Sequence, residues 1–267
     1  MIKFGKVTIQ RALRSFGFQL VRCKPDQQEH HDTLLTLFLK TTKNAGFSPH
    51  LIYDVGANRG TWTKEVRTVF PNSAFKLFEP QIHLQDHLNE LAAIWKNTEV
   101  RPYALSSTSG SAQFSASSWD VTSRLAPVGI NHQDTSRSEL YNVRVTTVDE
   151  EVAKDSLPLD LLKIDVEGEE LNVIEGARAS LNNVGIVIIE CGICSQSITN
   201  TALKIMNIMD EKGFDLMGIV NLNPFQTSDG NYASGLIWLA DLAFVNRRSV
   251  LSKSLSDRPG SCLDSIF

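Results

Sequence analysis

The chain has 267 residues, 42% hydrophobic and 21% charged, with a formal net charge of −4. Those values fit one globular domain with a substantial core and give no support for nucleic-acid binding. No apolar run approaches the roughly twenty residues of a membrane span, and the N-terminus lacks the apolar centre of a secretory signal.

The first 25 residues carry Lys3, Lys6, Arg11, Arg14, Arg22 and Lys24 and no acid. Removing those six from the 26 basic residues leaves 20 against 30 acids in the rest of the chain. Val7, Ile9, Leu13, Phe16, Phe18 and Leu20 interleave with the cations, so residues 1–25 are expected to pack as an edge helix or to make peripheral contact with an anionic membrane. Residues 32–47 have the apolar spacing of a helix through Leu34, Leu35, Phe38 and Leu39. Leu51–Val55 then reads as a buried strand, followed by Gly56-Ala-Asn-Arg-Gly60. Trp62, Val66, Val69 and Phe70 mark one face of the helix after the loop. Strand, glycine loop and helix form the geometry that lets a cofactor approach backbone amides and a helix N-terminus.

Phe75–Phe78 is a short strand ending in Glu79, about twenty residues beyond the loop, where a carboxylate can accept ribose hydroxyls. The loop is Gly-x-Asn-x-Gly rather than Gly-x-Gly-x-x-Gly, and Asp54 before it is a poor neighbour for a diphosphate. An acid there suits a ligand carrying an ammonium and a sulfonium, S-adenosylmethionine; the alternative is a tight turn whose glycines serve packing only. Leu84, Leu88, Leu91 and Trp95 give the next helix. Val100–Leu105 is predicted as a strand, and Pro102 places it at a sheet edge.

Residues 106–142 are rich in Ser, Thr and Gly, contain a short added strand near Gln113–Ser115, and read as an acceptor-side loop, with a poorly ordered insertion as the alternative. Leu159–Ile164 and Val184–Ile189 have the continuous apolar character of central parallel strands. Leu171, Ile174, Ala177 and Leu181 make the helix between them, with Glu167, Glu169 and Glu170 as its acidic first turn. Leu203, Met206 and Ile208 face a further helix ending near Gly213. Phe214–Val220 and Leu236–Val245 form a last strand pair joined by a polar loop from Asn221 to Ser234, and the last sixteen residues read as a frayed tail.

Asp54, Glu79, Asp165 and Glu190 each close a predicted strand at one sheet edge, beyond which ligands bind in open parallel sheets. Lys163 and Asp165 share a strand face, so the lysine is expected to pair with the acid or orient it. Asp165 is the first candidate for a general base and Glu190 the second. No metal site is assigned, although Asp165, Glu167 and Glu190 are residue types that a divalent cation takes. Asp241 interrupts an apolar strand, where the readings are a residue lining the acceptor pocket and, preferred, a hydrogen-bonded core acid. The four cysteines, at 23, 191, 194 and 262, make no disulfide framework, so a reducing cytoplasm is the expected location. Cys191-Gly-Ile-Cys194 lacks the context of a redox or zinc motif.

Tyr53-Asp-Val-Gly-Ala-Asn-Arg-Gly60, Phe78-Glu-Pro80, Tyr103-Ala-Leu-Ser106, Thr146-Thr-Val-Asp149, Leu162-Lys-Ile-Asp-Val-Glu-Gly168 and Ile188-Ile-Glu190 together resemble the FkbM family of S-adenosylmethionine-dependent methyltransferases. The resemblance implies an α/β, Rossmann-like class I sheet of seven strands, mostly parallel, with a C-terminal antiparallel hairpin. It implies that Asp54 and the amides of Gly56, Asn58 and Gly60 hold the methionine part of the cofactor, that Glu79 holds the ribose, and that Ala104 and Leu105 flank the adenine. It also implies methyl transfer to a hydroxyl of a sugar, another natural product or a glycan. The expected organisation is a basic helical extension over 1–45, the methyltransferase domain over 46–249 with 106–142 inserted, and a flexible tail over 250–267. A nicotinamide-dependent oxidoreductase and a non-catalytic nucleotide-binding domain are the rival readings.

Overall fold

The computed structural model describes residues 32–117, 124–125, 138–193, 200–226 and 232–256. The chain divides into two compact units, Met1–Asp32 and Thr33–Phe267, and both sheets belong to the second. The basic segment 1–25 lies outside the described residues.

Helix α1 (Leu34–Asn44) begins where the Thr33 hydroxyl accepts the Thr36 N–H at 3.0 Å, satisfying one of the donors that every helix start leaves free. Its Leu35 and Leu39 are buried with Ile52, Phe75 and Val220. The helix is therefore part of the main core, and the expected domain boundary after residue 45 moves to Thr33. The expected tail is corrected in the same way: α7 (Val250–Ser256) follows the last strand and buries Leu251.

Between these ends, β1 (Leu51–Val55), β2 (Ala74–Phe78), β3 (Thr98–Arg101), β8 (Leu159–Ile164) and β9 (Ile186–Gly192) are parallel. The hairpin of β10 (Phe214–Gln226) and β11 (Tyr232–Asn246) adds antiparallel to β9. The sheet order is β10-β11-β9-β8-β1-β2-β3. All five residues of β1 are buried, as expected for a central strand covered on both faces. Strand order turns back between β1 and β8, which opens a crevice at their carboxyl ends. Helices α2 (Thr61–Val69), α3 (Gln85–Ile94), α5 (Glu170–Glu175) and α6 (Ala202–Glu211) supply the crossovers.

The predicted strand 100–105 is two strands. Pro102 ends β3, the outermost strand of the sheet, as its missing N–H requires, and Ala104–Leu105 form β4 in a second sheet. That sheet, ordered β4-β7-β5-β6, consists of β4, β5 (Gly110–Ser117), β6 (Arg124–Leu125) and β7 (Ser138–Thr146). Much of the predicted loop 106–142 is therefore strand. Thr147 caps the short helix α4 (Val148–Val152) by accepting the Glu150 N–H at 3.1 Å.

Three further expectations change. The helix spanning 171–181 is broken: α5 stops at Glu175, and a 3-10 turn at Ser180–Asn182 follows. The Asp149 carboxylate sets that turn by accepting the N–H groups of Ala179 and Ser180 at 3.0 and 2.8 Å. On α6 the buried residues are Ile205 and Met209, while Leu203 is 67% exposed. Strands β10 and β11 run through most of the segment read as a polar loop.

Candidate functional site

Strand alternation decides which side chains meet. Ile52 of β1, Leu161 of β8, Ile186 and Ile188 of β9, and Ala243 and Val245 of β11 all lie in one core layer. Two residues further toward the crevice on the same face stand Asp54, Lys163, Glu190 and Asp241. Asp54 is the register partner of Lys163 between β1 and β8, and Glu190 is the partner of Asp241 between β9 and β11. Asp165 follows Lys163 on the same face, just beyond the end of β8.

Lys163 joins this group together. Its Nζ lies 3.1 Å from Asp54 Oδ1 and 3.2 Å from Asp165 Oδ2, and donates to the Gly56 carbonyl at 2.7 Å. Burial pulls the Lys163 ammonium down, but Asp165 and Asp54 outweigh it and hold the group above the usual lysine range. The Thr63 hydroxyl, buried on α2, donates to Asp54 Oδ2 at 2.6 Å. Asp54 is fully buried, whereas the Asp165 side chain is 32% exposed. Asp54 thus anchors the pair from within, and Asp165 presents it to the crevice.

The glycine loop closes over these groups. Gly56 has φ +78°, and a Cβ added there would lie 1.7 Å from the Asp165 carbonyl oxygen. Only glycine allows the first loop and the end of β8 to approach so closely. Asn58 takes φ +48°, a conformation asparagine adopts more readily than most residues, and its N–H donates to Glu79 Oε2 at 2.8 Å. Gly60, at φ +74°, starts α2.

Glu79 follows β2 and is buried, with Oε1 accepting the Gln81 N–H at 2.9 Å. Burial raises its pKa, opposed by the hydrogen bonds from Gln81 and Asn58. These two bonds fix the carboxylate and leave it acceptor sites, since each ionised oxygen carries two lone pairs. Ala104 and Leu105 of β4 are buried beside it.

Glu167, Glu169 and Glu170 do not form one solvated helix start. Glu170 is fully buried and accepts the N–H groups of Val166 and Gly168 at 3.1 and 3.0 Å, and the Asn200 side-chain amide also donates to it. It holds the loop that carries Asp165 and Glu167. Burial pushes Glu190 far above the usual carboxylate range, and the neighbouring carboxylates of Asp165, Glu167, Asp241 and Glu170 add to that rise. Asp241 is 9% exposed, and burial and then Asp165 push it up to about 6, with Lys163 and Asn221 opposing. It is a core acid as expected, but its Oδ1 has no hydrogen-bond partner. Burial first, then Asp241 and Glu190, push the Cys191 thiol up to about 12, far from a reactive thiolate. Cys194 lies outside the described residues.

A cavity of about 610 Å³ opens at this edge. Glu79, Ala104, Leu105 and Phe114 line one part of it, and Asp165, Glu167 and Glu190 another, with Asn223, Pro224 and Trp238 contributed by the hairpin. Phe114 and the hairpin residues were not foreseen, because they reach the crevice only through the second sheet and the long-range β10–β11 pairing. A second cavity of about 680 Å³ lies against Trp62, Lys163, Asp165, Asn221 and Asp241. A further hollow of about 930 Å³ lies at the opposite end of the strands. There Tyr53 and Lys76 both donate to Asp155, and the exposed Lys43 donates from Nζ to the Val69 carbonyl at 2.7 Å.

Among the described residues, no helix is long and apolar enough to cross a membrane. Comparison with known proteins bears directly on the crevice. Hexuronic acid methyltransferase AglP of Haloferax volcanii is 29% identical over 155 residues, which are 56% of this chain and 59% of that protein. The chain thus spans about three-fifths of that relative's length. A methyltransferase FkbM structure from Methylobacillus flagellatus KT aligns with TM-score 0.46 and 14% identity over 74% of this chain and 43% of that one. A precorrin-6y C5,15-methyltransferase from Geobacter metallireducens GS-15 aligns with TM-score 0.43 and 11% identity over 84% and 93%. The family model of the methyltransferase FkbM domain matches residues 54–216, from the buried acid of β1 into β10. The chain belongs to the FkbM methyltransferase family.

Proposed function

We propose that the protein transfers a methyl group from S-adenosylmethionine to a hydroxyl of a sugar, a glycan or a related natural product. The observation that carries this reading is the 610 Å³ cavity, which brings Glu79 and the buried β4 residues to one end and the exposed acids to the other. Its size suits a nucleoside ligand with room for part of an acceptor.

The residues present fit the cofactor. Glu79, held by Asn58 and Gln81, has lone pairs left for ribose hydroxyls, and Ala104 and Leu105 offer a flat apolar flank for adenine. The glycine loop and the partly exposed Asp165 flank the place for the methionine part, where a carboxylate suits an ammonium and a sulfonium. The expected direct contacts from Asp54 and the loop amides are corrected: Asp54 is fully buried behind Lys163, and the N–H groups of Gly56, Asn58 and Gly60 already donate to Phe78, Glu79 and Ala57. When bound, the cofactor supplies an electrophilic methyl carbon on a positively charged sulfur. The chain's part is alignment, exclusion of water and management of one proton. Asp165, steadied by Lys163, is the residue placed to accept the acceptor hydroxyl's proton, with Glu190 beside it.

The relative's name supplies the nearest guide to an acceptor, a hexuronic acid. The crevice gathers Asp165, Glu167 and Glu190, so a neutral hydroxyl-rich acceptor meets less repulsion than a bare sugar acid. Residues 106–142 are the acceptor-side element in this reading, the glycan or small-molecule acceptor is its partner, and the cytoplasm is its compartment.

Calorimetric titration with S-adenosylhomocysteine, beside a titration with NAD, tests the cofactor. One-site binding that weakens in Glu79→Ala is expected. Absence of binding by folded protein would remove the reading, and preference for NAD would replace it. A screen of neutral and uronic glycosides with labelled methyl donor then tests the acceptor class.

A further inference from the structure

Four carboxylates meet at the crevice: Asp165, Glu167, Glu190 and Asp241. One oxygen from each of Asp165, Glu167 and Glu190 lies within 4.8 Å of the others. Hard divalent cations bind carboxylate oxygens at about 2.0–2.6 Å, so a single ion can touch all three. Acids gathered in this way are common without any ion, and a second observation is needed.

Asp241 provides it. Its residue is more than nine-tenths buried, at 9% exposure, and Oδ1 has no hydrogen-bond partner. It stands directly opposite Glu190 in the β9–β11 ladder, so both side chains leave the same face. It also shares a cavity wall with Asp165. A buried carboxylate oxygen without a partner is costly, and positive charge placed among these groups would remove the cost. Lys163 cannot serve all of them, because its ammonium is already committed to Asp54, Asp165 and the Gly56 carbonyl.

We infer that Asp165, Glu167 and Glu190 bind one divalent cation of the magnesium or manganese class, with the Asp241 carboxylate as their outer neighbour. Asp165 uses the oxygen that Lys163 leaves open. The buried Glu170, by fixing the amides of Val166 and Gly168, sets the loop that presents two of the three ligands. This deepens the methyl-transfer reading and rests on it for its purpose. The cation holds an acceptor hydroxyl oxygen and makes its proton easier to release. Asp165 and Glu190 then act as ligands in place of the base role, and the released proton leaves to solvent water in the crevice.

The test is a titration of the full-length chain with Mn²⁺, followed by the electron paramagnetic resonance signal of free ion. It is repeated in Glu190→Gln and Glu167→Gln, with circular dichroism confirming that each variant is folded. One site per chain is expected, displaced by Mg²⁺ and weakened at least about tenfold in either variant. If Glu190→Gln does not fold, Glu167→Gln, which lies in a loop outside the strands, carries the comparison. No Mn²⁺ bound by the folded wild-type chain, or an affinity unchanged by the substitution, would overturn the site. The same samples are titrated with S-adenosylhomocysteine. Binding of that compound without Mn²⁺ removes the cation site alone, and Mn²⁺ binding without it removes the methyl-donor reading alone.

Discussion

Gly56 and Asp165 are 109 positions apart in the sequence, yet a single added carbon on the first would lie 1.7 Å from the carbonyl oxygen of the second. The glycine loop and the acidic end of β8 are thus one wall of the crevice. Gly56→Ala forces both a backbone clash and a left-handed conformation that alanine disfavours. The expected result is a destabilisation of about 2–4 kcal/mol, with loss of S-adenosylhomocysteine binding. Thermal unfolding and calorimetry read both, and an unchanged melting temperature would show that the wall is not rigid.

Lys163→Met keeps the length of the side chain and removes its charge. Asp54 then stays fully buried beside Asp165 with no ammonium between them. Breaking a buried pair from one side costs roughly 3–5 kcal/mol, so urea unfolding should show a lowered midpoint. The double variant Lys163→Met with Asp54→Asn should recover part of that loss, because the unpaired charge is gone. A double variant no more stable than the single would mean that the Lys163–Asp54 pair contributes little.

Glu170→Gln keeps the shape of the side chain but halves its capacity to accept hydrogen bonds. Val166, Gly168 and Asn200 all donate to this one carboxylate, and bonds to a charged acceptor are worth about 1.5–3 kcal/mol. A loss of about 1–3 kcal/mol in stability and a larger proportional loss of methyl transfer are expected, since the loop carrying Asp165 is what loosens. Equal hydrogen-exchange protection of Val166 and Gly168 in both proteins would count against this account.

Alkaline pH tests the buried tyrosines. Burial, reinforced by the Glu151 carboxylate that its hydroxyl bonds at 2.9 Å, pushes Tyr103 up to about 12, and Tyr53 beside Asp155 moves the same way. A group whose folded pKa is raised contributes stability in full below its unfolded value, near 10. That contribution disappears as pH climbs through the folded value. The melting temperature should therefore fall between pH 10 and 12, and Tyr103→Phe should flatten part of that fall. An equal slope in the variant would place the alkaline sensitivity elsewhere.

Local pattern made much of this legible beforehand. Continuous apolar runs identified β1, β8 and β9, and the residues ending them, Asp54, Asp165 and Glu190, do gather at one edge. Period-two alternation also anticipated the Lys163–Asp165 pair. What escaped were relationships carried by distant chain. Glu170 sits in a run of glutamates that reads as a solvated helix start, and only the Asn200 contact and the turned-back loop show it as a buried anchor. Asp241 reads as an isolated acid in an apolar strand until the antiparallel register sets it against Glu190. On α6, apolar residues at 203, 205, 206, 208 and 209 lie on more than one face, so periodicity alone could not choose between Leu203 and Ile205.

Within the second sheet there is a narrow seam. Strand β4, which follows β3 directly, has two residues and pairs with β7 at Ala104–Val145 and Leu105–Thr146. Those same two residues flank the expected adenine position, while Phe114 of β5 reaches the cavity from the far side of the seam. Variation in β5 to β7 can therefore reshape what enters the crevice while Asp54, Lys163 and Glu79 stay as they are. If residues 106–142 are the acceptor-side element proposed above, a graft of that segment from a relative is the natural unit of exchange.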